Sequence, residues 1–259
     1  MTFDRVVAIF LLVSACHGII PPSEKATSRE APYFVYISDG YSYCGGAIIQ
    51  KDVIITAAHC LKEFMTNYKS IEVTAGTTTP NARDKNAQRL SVKDAIVHEG
   101  YKLGENGVQA YNDIAIIKLS KPFRASNNLQ PIKIARFDPQ TTLWVYGYGS
   151  THETFNVPSD ELRRKNVTFI PDPDCQKILD ATRTKSVKQR YEICMSTSMC
   201  HGDSGSPVIQ IQQGSPRIVG IASWVADDIY GCDTPPAVAV NVAEFGSWIG
   251  EALKKLGRK

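Results

Sequence analysis

The chain of 259 residues is 43% hydrophobic and 21% charged, an ordinary globular composition with ample apolar material for a core. Its formal charge of +3 is spread thinly with no block of like charges, which excludes binding to nucleic acid or anionic membranes by charge alone. After the N-terminal segment, no stretch is long and apolar enough to span a bilayer.

In chain order, Met1 to Arg5 is a short polar start, and Val6 to Ala15 is an apolar run too short to cross a membrane. Cys16 and Gly18 place small residues where a signal peptidase reads them, so cleavage is expected after Gly18. That makes 1–18 a secretory signal and leaves 19–259 as a secreted, extracellular domain. Cysteine usage agrees. Seven cysteines are an odd set, but losing Cys16 leaves Cys44, Cys60, Cys175, Cys194, Cys200 and Cys232, an even set suited to disulfides. Spacing does not choose among the pairings. Metal binding is the competing use, and the Cys-x-x-Cys spacing that favours it is absent.

Short β-rich runs come next: Tyr33 to Ile37, Gly46 to Ile49, Val53 to Thr56, Ile71 to Ala75, Ser91 to His98 and Ile114 to Leu119. A second group runs through Leu143 to Tyr146, Asn166 to Ile170, Pro207 to Gln212, Ile218 to Trp224 and Ala237 to Val242. Turn residues punctuate the gaps, as in an antiparallel all-β domain. The less regular span 120–138 reads as a crossing between two halves. Asp172-Pro173 predicts an N-cap and first turn for a short helix through Leu179. Phe245, Trp248, Ile249, Leu253 and Leu256 recur at helical spacing and predict a C-terminal amphipathic helix packed on a barrel.

Three short stretches carry chemistry. Gly202-Asp203-Ser204-Gly205 sets a serine between glycines, a turn that exposes a hydroxyl and lets main-chain N–H groups converge. Alone, such a stretch is more often a plain loop. Among His17, His59, His98, His152 and His201, the first leaves with the signal. His59 ends an apolar strand in Thr56-Ala57-Ala58-His59-Cys60. Asp113 opens the apolar run Asp113 to Leu119, where a buried carboxylate requires a partner.

In the order His, Asp, Ser, these stretches resemble the chymotrypsin-like family of serine proteases, over the chain from about Ile19 to the C-terminal helix. The resemblance implies an all-β fold of two six-stranded antiparallel Greek-key barrels, with a short intermediate helix and a C-terminal helix. It implies a serine endopeptidase with Ser204 as nucleophile, His59 as general base and then acid, and Asp113 orienting His59. Gly202 and Ser204 would supply the oxyanion-hole N–H groups, Ser223 would support Asp113, and Ser223, Trp224 and Val225 would pair with substrate. The implied disulfides are Cys44–Cys60, Cys175–Cys194 and Cys200–Cys232.

The sequence departs from the family in places. Activation in the family frees an Ile-Val-Gly-Gly terminus that pairs with the aspartate before the serine, here Asp203. This chain has Ile19-Ile20-Pro21-Pro22 with no basic residue before Ile19, so signal cleavage itself is expected to expose Ile19. By the resemblance, Ser198 would stand at the pocket floor where trypsin-like members carry an aspartate, and Val225 and Ala237 match its wall positions. Small or medium uncharged side chains are therefore expected, rather than Arg or Lys. Only Met195 to Met199 separate Cys194 from Cys200, a shortened loop.

Thr77-Thr78-Thr79-Pro80 lacks the carboxylates of the family's calcium loop, so no metal or cofactor is expected. Asn166-Val167-Thr168 is a glycosylation sequon, and His201 a rim residue that contacts substrate at most. Expected partners are protein or peptide substrates and protein protease inhibitors, for a monomer with no nucleic acid and no membrane. The alternative is a catalytically idle homologue serving as a secreted binding or lectin-like module.

Overall fold

The computed structural model describes residues 23–63, 68–80, 84–150, 159–182, 184–196, 199–226 and 235–257. Residues 1–18, where a signal was expected, and Ile19, His152, Ser198 and Cys232 lie outside these residues. A two-residue strand, β1 (Glu24–Lys25), leads into β2 (Phe34–Ser38), β3 (Tyr43–Gln50), β4 (Val53–Thr56), helix α1 (Ala58–Glu63), β5 (Glu72–Ala75) and β6 (Gln88–Val97). A hairpin of β7 (Lys102–Leu103) and β8 (Ala110–Tyr111) precedes β9 (Ala115–Leu119). Six strands close a barrel in the order β2-β3-β4-β9-β6-β5. The wall composition explains the closure. Val53, Ile54 and Ile55 in β4 and Ile116 and Ile117 in β9 bury successive side chains, so both strand faces are covered. Lys118 is the polar member of β9, and its ammonium reaches Asp52 Oδ2 at 2.6 Å.

The second half runs β10 (Lys133–Ile134), β11 (Leu143–Gly147), β12 (Arg163–Val167), α2 (Asp172–Ala181), β13 (Glu192–Met195), β14 (Pro207–Gln212), β15 (Ser215–Val225), β16 (Ala237–Asn241) and α3 (Gly246–Gly257). One sheet orders its strands β1-β12-β11-β14-β15-β16-β13 with antiparallel neighbours, and β10 lies parallel to β15. Beyond β12 the chain crosses to β13. Ser196 N–H donates to Thr168 O at 2.8 Å and Ile170 N–H to Cys194 O at 2.9 Å, which brings the two ends of the sheet together. The protein is mostly β: a closed six-stranded barrel, a second antiparallel sheet, a short helix and a C-terminal helix.

Several boundaries differ from expectation. The strand predicted at Asn166 to Ile170 runs instead from Arg163 to Val167: Arg163 to Lys165 already pair with β11, and Thr168 to Ile170 leave it to bridge β13. The short helix is capped by Pro171 rather than Asp172, which already takes a helical place, and no side chain caps it. Phe245 falls in a 3-10 turn, Val242–Phe245, just before α3. Ile249, Ala252 and Leu256 form the buried stripe of α3, which packs on β6 and β9 of the closed barrel. Trp248 ties it down by donating Nε1–H to Glu99 Oε2 at 2.9 Å.

Candidate active site

The Ser204 turn is gripped by both halves of the fold. Gly45 of β3 donates its N–H to Ser204 O at 2.7 Å, and Gly205 N–H donates to Ala222 O of β15 at 2.9 Å. Two glycines allow the geometry. Gly205 takes φ +75°, and a Cβ there would collide with Thr56 Oγ1 and Gly45 O. Gly202 takes φ +93° with the Tyr43 ring packed where its Cβ would be. Among the described residues, neither the Gly202 nor the Ser204 N–H donates to a main-chain oxygen.

Three donors converge on Asp113. The His59 backbone N–H, at the first turn of α1, reaches Oδ1 at 2.8 Å, and the His59 ring Nδ1 lies 2.7 Å from Oδ2. Ser223 Oγ donates to the same Oδ2 at 2.5 Å. With Nδ1–H donating to the carboxylate, the lone pair of the imidazole lies on Nε2, which can take a proton. Asp113 is fully buried and the His59 side chain is 13% exposed. Burial alone would raise the Asp113 carboxyl, but the His59 imidazole and the hydrogen bonds from His59 and Ser223 outweigh it and hold it below its usual range.

Asp203 points the other way, into the second half. Its Oδ1 accepts Gly149 N–H at 2.8 Å and its Oδ2 accepts Cys200 N–H at 3.0 Å. A Cβ on Gly147 or Gly149 would strike this carboxyl, so those glycines leave the room it fills. Among the described residues only backbone N–H groups meet it, with no cation. Burial raises it to about 7, against the pull of those two hydrogen bonds.

His59 and Ser204 line one cleft of about 400 Å³ together with His201, Ser223, Trp224 and Val225. The sequence did not single out Met199, which also lines it. Met199 belongs with Ala222, Val225 and Ala237 to one apolar cluster, so sulfur and methylene fill the ground beside Ser204. Also unforeseen are Tyr101, Leu103, Val108 and Ala110, brought to the cleft by the β7–β8 hairpin, whose only sequence signal was Gly104 and Gly107. Ala237 lies buried in β16 behind the cleft, and Asn166 is exposed on β12 beside a separate shallow groove.

Disulfides Cys44–Cys60 and Cys175–Cys194 are formed, and the first ties β3 to α1 beside His59. Cys200 is also disulfide-bonded, and its expected partner Cys232 lies outside the described residues. Cys44, His59 and Cys60 cluster within 4.8 Å, but their sulfurs are bonded to each other and offer no thiolate to a metal.

Comparison with known proteins bears on this arrangement. The family model described as Trypsin matches residues 20–249. The chain is 31% identical over 223 residues to Trypsin I-P1 of Gallus gallus, covering 85% of this chain and 83% of that one. It is 30% identical over 272 residues to Trypsin of Sarcophaga bullata, covering 97% of this chain and 99% of that one.

Proposed function

The chain belongs to the trypsin family of serine endopeptidases, and from that premise we propose that Ser204, His59 and Asp113 are its catalytic triad. Its substrates are proteins. Ser204 Oγ attacks the scissile carbonyl carbon while His59 Nε2 takes the hydroxyl proton. The carbonyl oxygen, now an oxyanion, receives the Gly202 and Ser204 N–H groups. Collapse of the tetrahedral species expels the amine, which takes the proton from His59 and leaves an acyl group on Ser204. Water, activated by the same imidazole, then releases the acid. Asp113 stays ionised throughout and stabilises the imidazolium. The observation that carries this reading is that one buried carboxylate, Asp113, gathers His59 N, His59 Nδ1 and Ser223 Oγ, while His59 and Ser223 line the same cleft as Ser204. Substrate would run along Ser223 to Val225 as an added strand.

We further propose a preference for small or medium uncharged residues at the primary pocket, although the relatives are named trypsin. Met199 and Val225 narrow the wall beside Ser204, and Ser198 offers no carboxylate to an entering guanidinium. Profiling with peptide libraries should show faster cleavage after Ala, Val or Leu than after Arg or Lys. Met199→Ser should shift the preference toward larger apolar residues by about tenfold or more, since one methylene in a hydrophobic pocket is worth at least about that much. Faster cleavage after Arg or Lys in the wild type contradicts this preference. Secretion, with Asn166 as a glycan acceptor, fits the disulfides and the exposed sequon. Protein inhibitors would enter the same cleft of a monomer.

Activation is proposed to follow signal cleavage, with the Ile19 ammonium brought to Asp203. In the uncut chain, the raised Asp203 carboxyl keeps its proton when folded and loses it when unfolded between about pH 4 and 7. Its contribution to stability is present below that window and lost as pH rises through 7. A shift of this size is worth about 4 kcal/mol. An ammonium beside the carboxylate favours the ionised form and removes that loss. Glu192, which burial also raises to about 7, lowers the stability of both forms as pH rises over this range. Thermal melts from pH 4 to 8 should therefore fall more steeply for the uncut chain than for the form beginning at Ile19. Parallel profiles argue against the pairing.

A further inference from the structure

Glu192 is a buried carboxyl that the proposed reaction does not use. Its Oε1 accepts the Trp224 Nε1–H at 3.2 Å and its Oε2 accepts the Gln189 N–H at 2.6 Å. Consecutive residues of β15 are thus each held by a buried acid: Ser223 by Asp113, and Trp224 by Glu192. A second line of bonds leaves Glu192 through Gln189. The Gln189 side-chain amide donates to Val187 O at 2.7 Å, and Gln109 Nε2 donates to the same oxygen at 2.6 Å. Val187 N–H returns a bond to Gln109 Oε1 at 3.2 Å. Gln109 belongs to the β7–β8 hairpin, which Asn106 also fastens by donating to Ser186 Oγ at 2.9 Å. Leu103, Val108 and Ala110 of that hairpin line the cleft with Trp224, and Ala110 and Trp224 share one apolar cluster.

Both walls of this part of the cleft therefore trace back to one side chain. A carboxyl suits the place because it accepts at two oxygens at once. Leucine would leave the buried indole N–H and the partly buried Gln189 N–H without acceptors, and glutamine would turn an N–H₂ toward one of them. We propose that Glu192 is a positioning residue: it fixes the Trp224 indole directly and the β7–β8 hairpin through Gln189, Val187 and Gln109. The spacing between the two walls that receive the acyl-side residues of a peptide is set in this way. The inference rests on the serine-protease reading of the cleft. It separates from a plain structural role because it depends on substrate length.

The test compares a tetrapeptide substrate with a single-residue ester. Glu192→Leu should raise KM for the tetrapeptide about tenfold with kcat little changed, the scale of one lost hydrogen bond at a binding wall. Ester kinetics and fluorophosphonate labelling of Ser204 should stay at wild-type levels. Glu192→Gln should fall between the two. In a Trp224→Phe background, which keeps an apolar ring and removes the N–H, Glu192→Gln should add no further change in tetrapeptide KM beyond that of Trp224→Phe alone. This comparison carries the test if Glu192→Leu does not fold. Equal losses on both substrates, or a Glu192→Gln effect that persists in Trp224→Phe, overturn the positioning role. Failure of the wild type to label with fluorophosphonate overturns the serine-protease reading beneath it.

Discussion

Replacing Ser204 by alanine should lower kcat for peptide hydrolysis about 10⁶-fold, the loss general to enzymes of the Ser-His-Asp kind. Little else should change. The Ser204 main chain, not its hydroxyl, carries the bond to Gly45 that seats the turn. Half-buried Ser204 also leaves no large cavity on truncation, so stability should stay within about 0.5 kcal/mol. Equilibrium binding of a peptide inhibitor should persist, since the strand at Ser223 to Val225 and the pocket wall at Met199 are untouched. Loss of binding together with turnover would point to a collapsed site rather than a missing nucleophile. The measurements are kcat on a peptide substrate, a thermal melt and an inhibitor titration on one preparation.

Asp113→Asn should cost about 10⁴ in kcat near neutral pH while the fold survives. Three donors meet the native carboxylate, and an asparagine offers one oxygen and one N–H₂ in its place. Wherever the N–H₂ points, a donor faces a donor or the imidazole must adopt its other tautomer. In that tautomer Nε2 carries the proton and no longer accepts one from Ser204. Ser223→Ala, which removes one donor and leaves the carboxylate, should cost far less. The native carboxyl is held below its ordinary range, so its contribution to stability is present above about pH 4 and lost as pH falls below that. The Asp113→Asn protein lacks this dependence, and the melting temperatures of variant and wild type should converge in acid. A variant with wild-type kcat would remove Asp113 from the mechanism.

The sequence revealed most where one short stretch holds the whole signal. Val53 to Thr56 and Pro207 to Gln212 form strands with the bounds their composition indicated. The His59, Asp113 and Ser204 stretches are each local, and their glycines and alanines announce close backbone approach. Contacts between distant segments were not legible. Nothing in the periodicity places Glu192 under Trp224, or Gln109 against Val187, because each bond joins residues that only the finished fold brings together. Strand β13 is four residues long and paired at one edge with β16, which leaves too little pattern to read. Helix α1 begins with one alanine and a histidine, too short a signal to separate from a turn, and Asp113 holds the His59 N–H at its first turn. Met199 escaped notice for a related reason. A methionine beside a half-cystine reads as core, and only the cluster with Ala222, Val225 and Ala237 makes it a pocket wall.

An assembled triad and oxyanion hole at Ser204 are tested most directly by intact-protein mass spectrometry after fluorophosphonate treatment. The protein beginning at Ile19 should gain one phosphonyl group per chain, located on Ser204, and Ser204→Ala should gain none. A folded protein that begins at Ile19 and takes up no label would contradict the account, and would favour an idle homologue that binds without turnover.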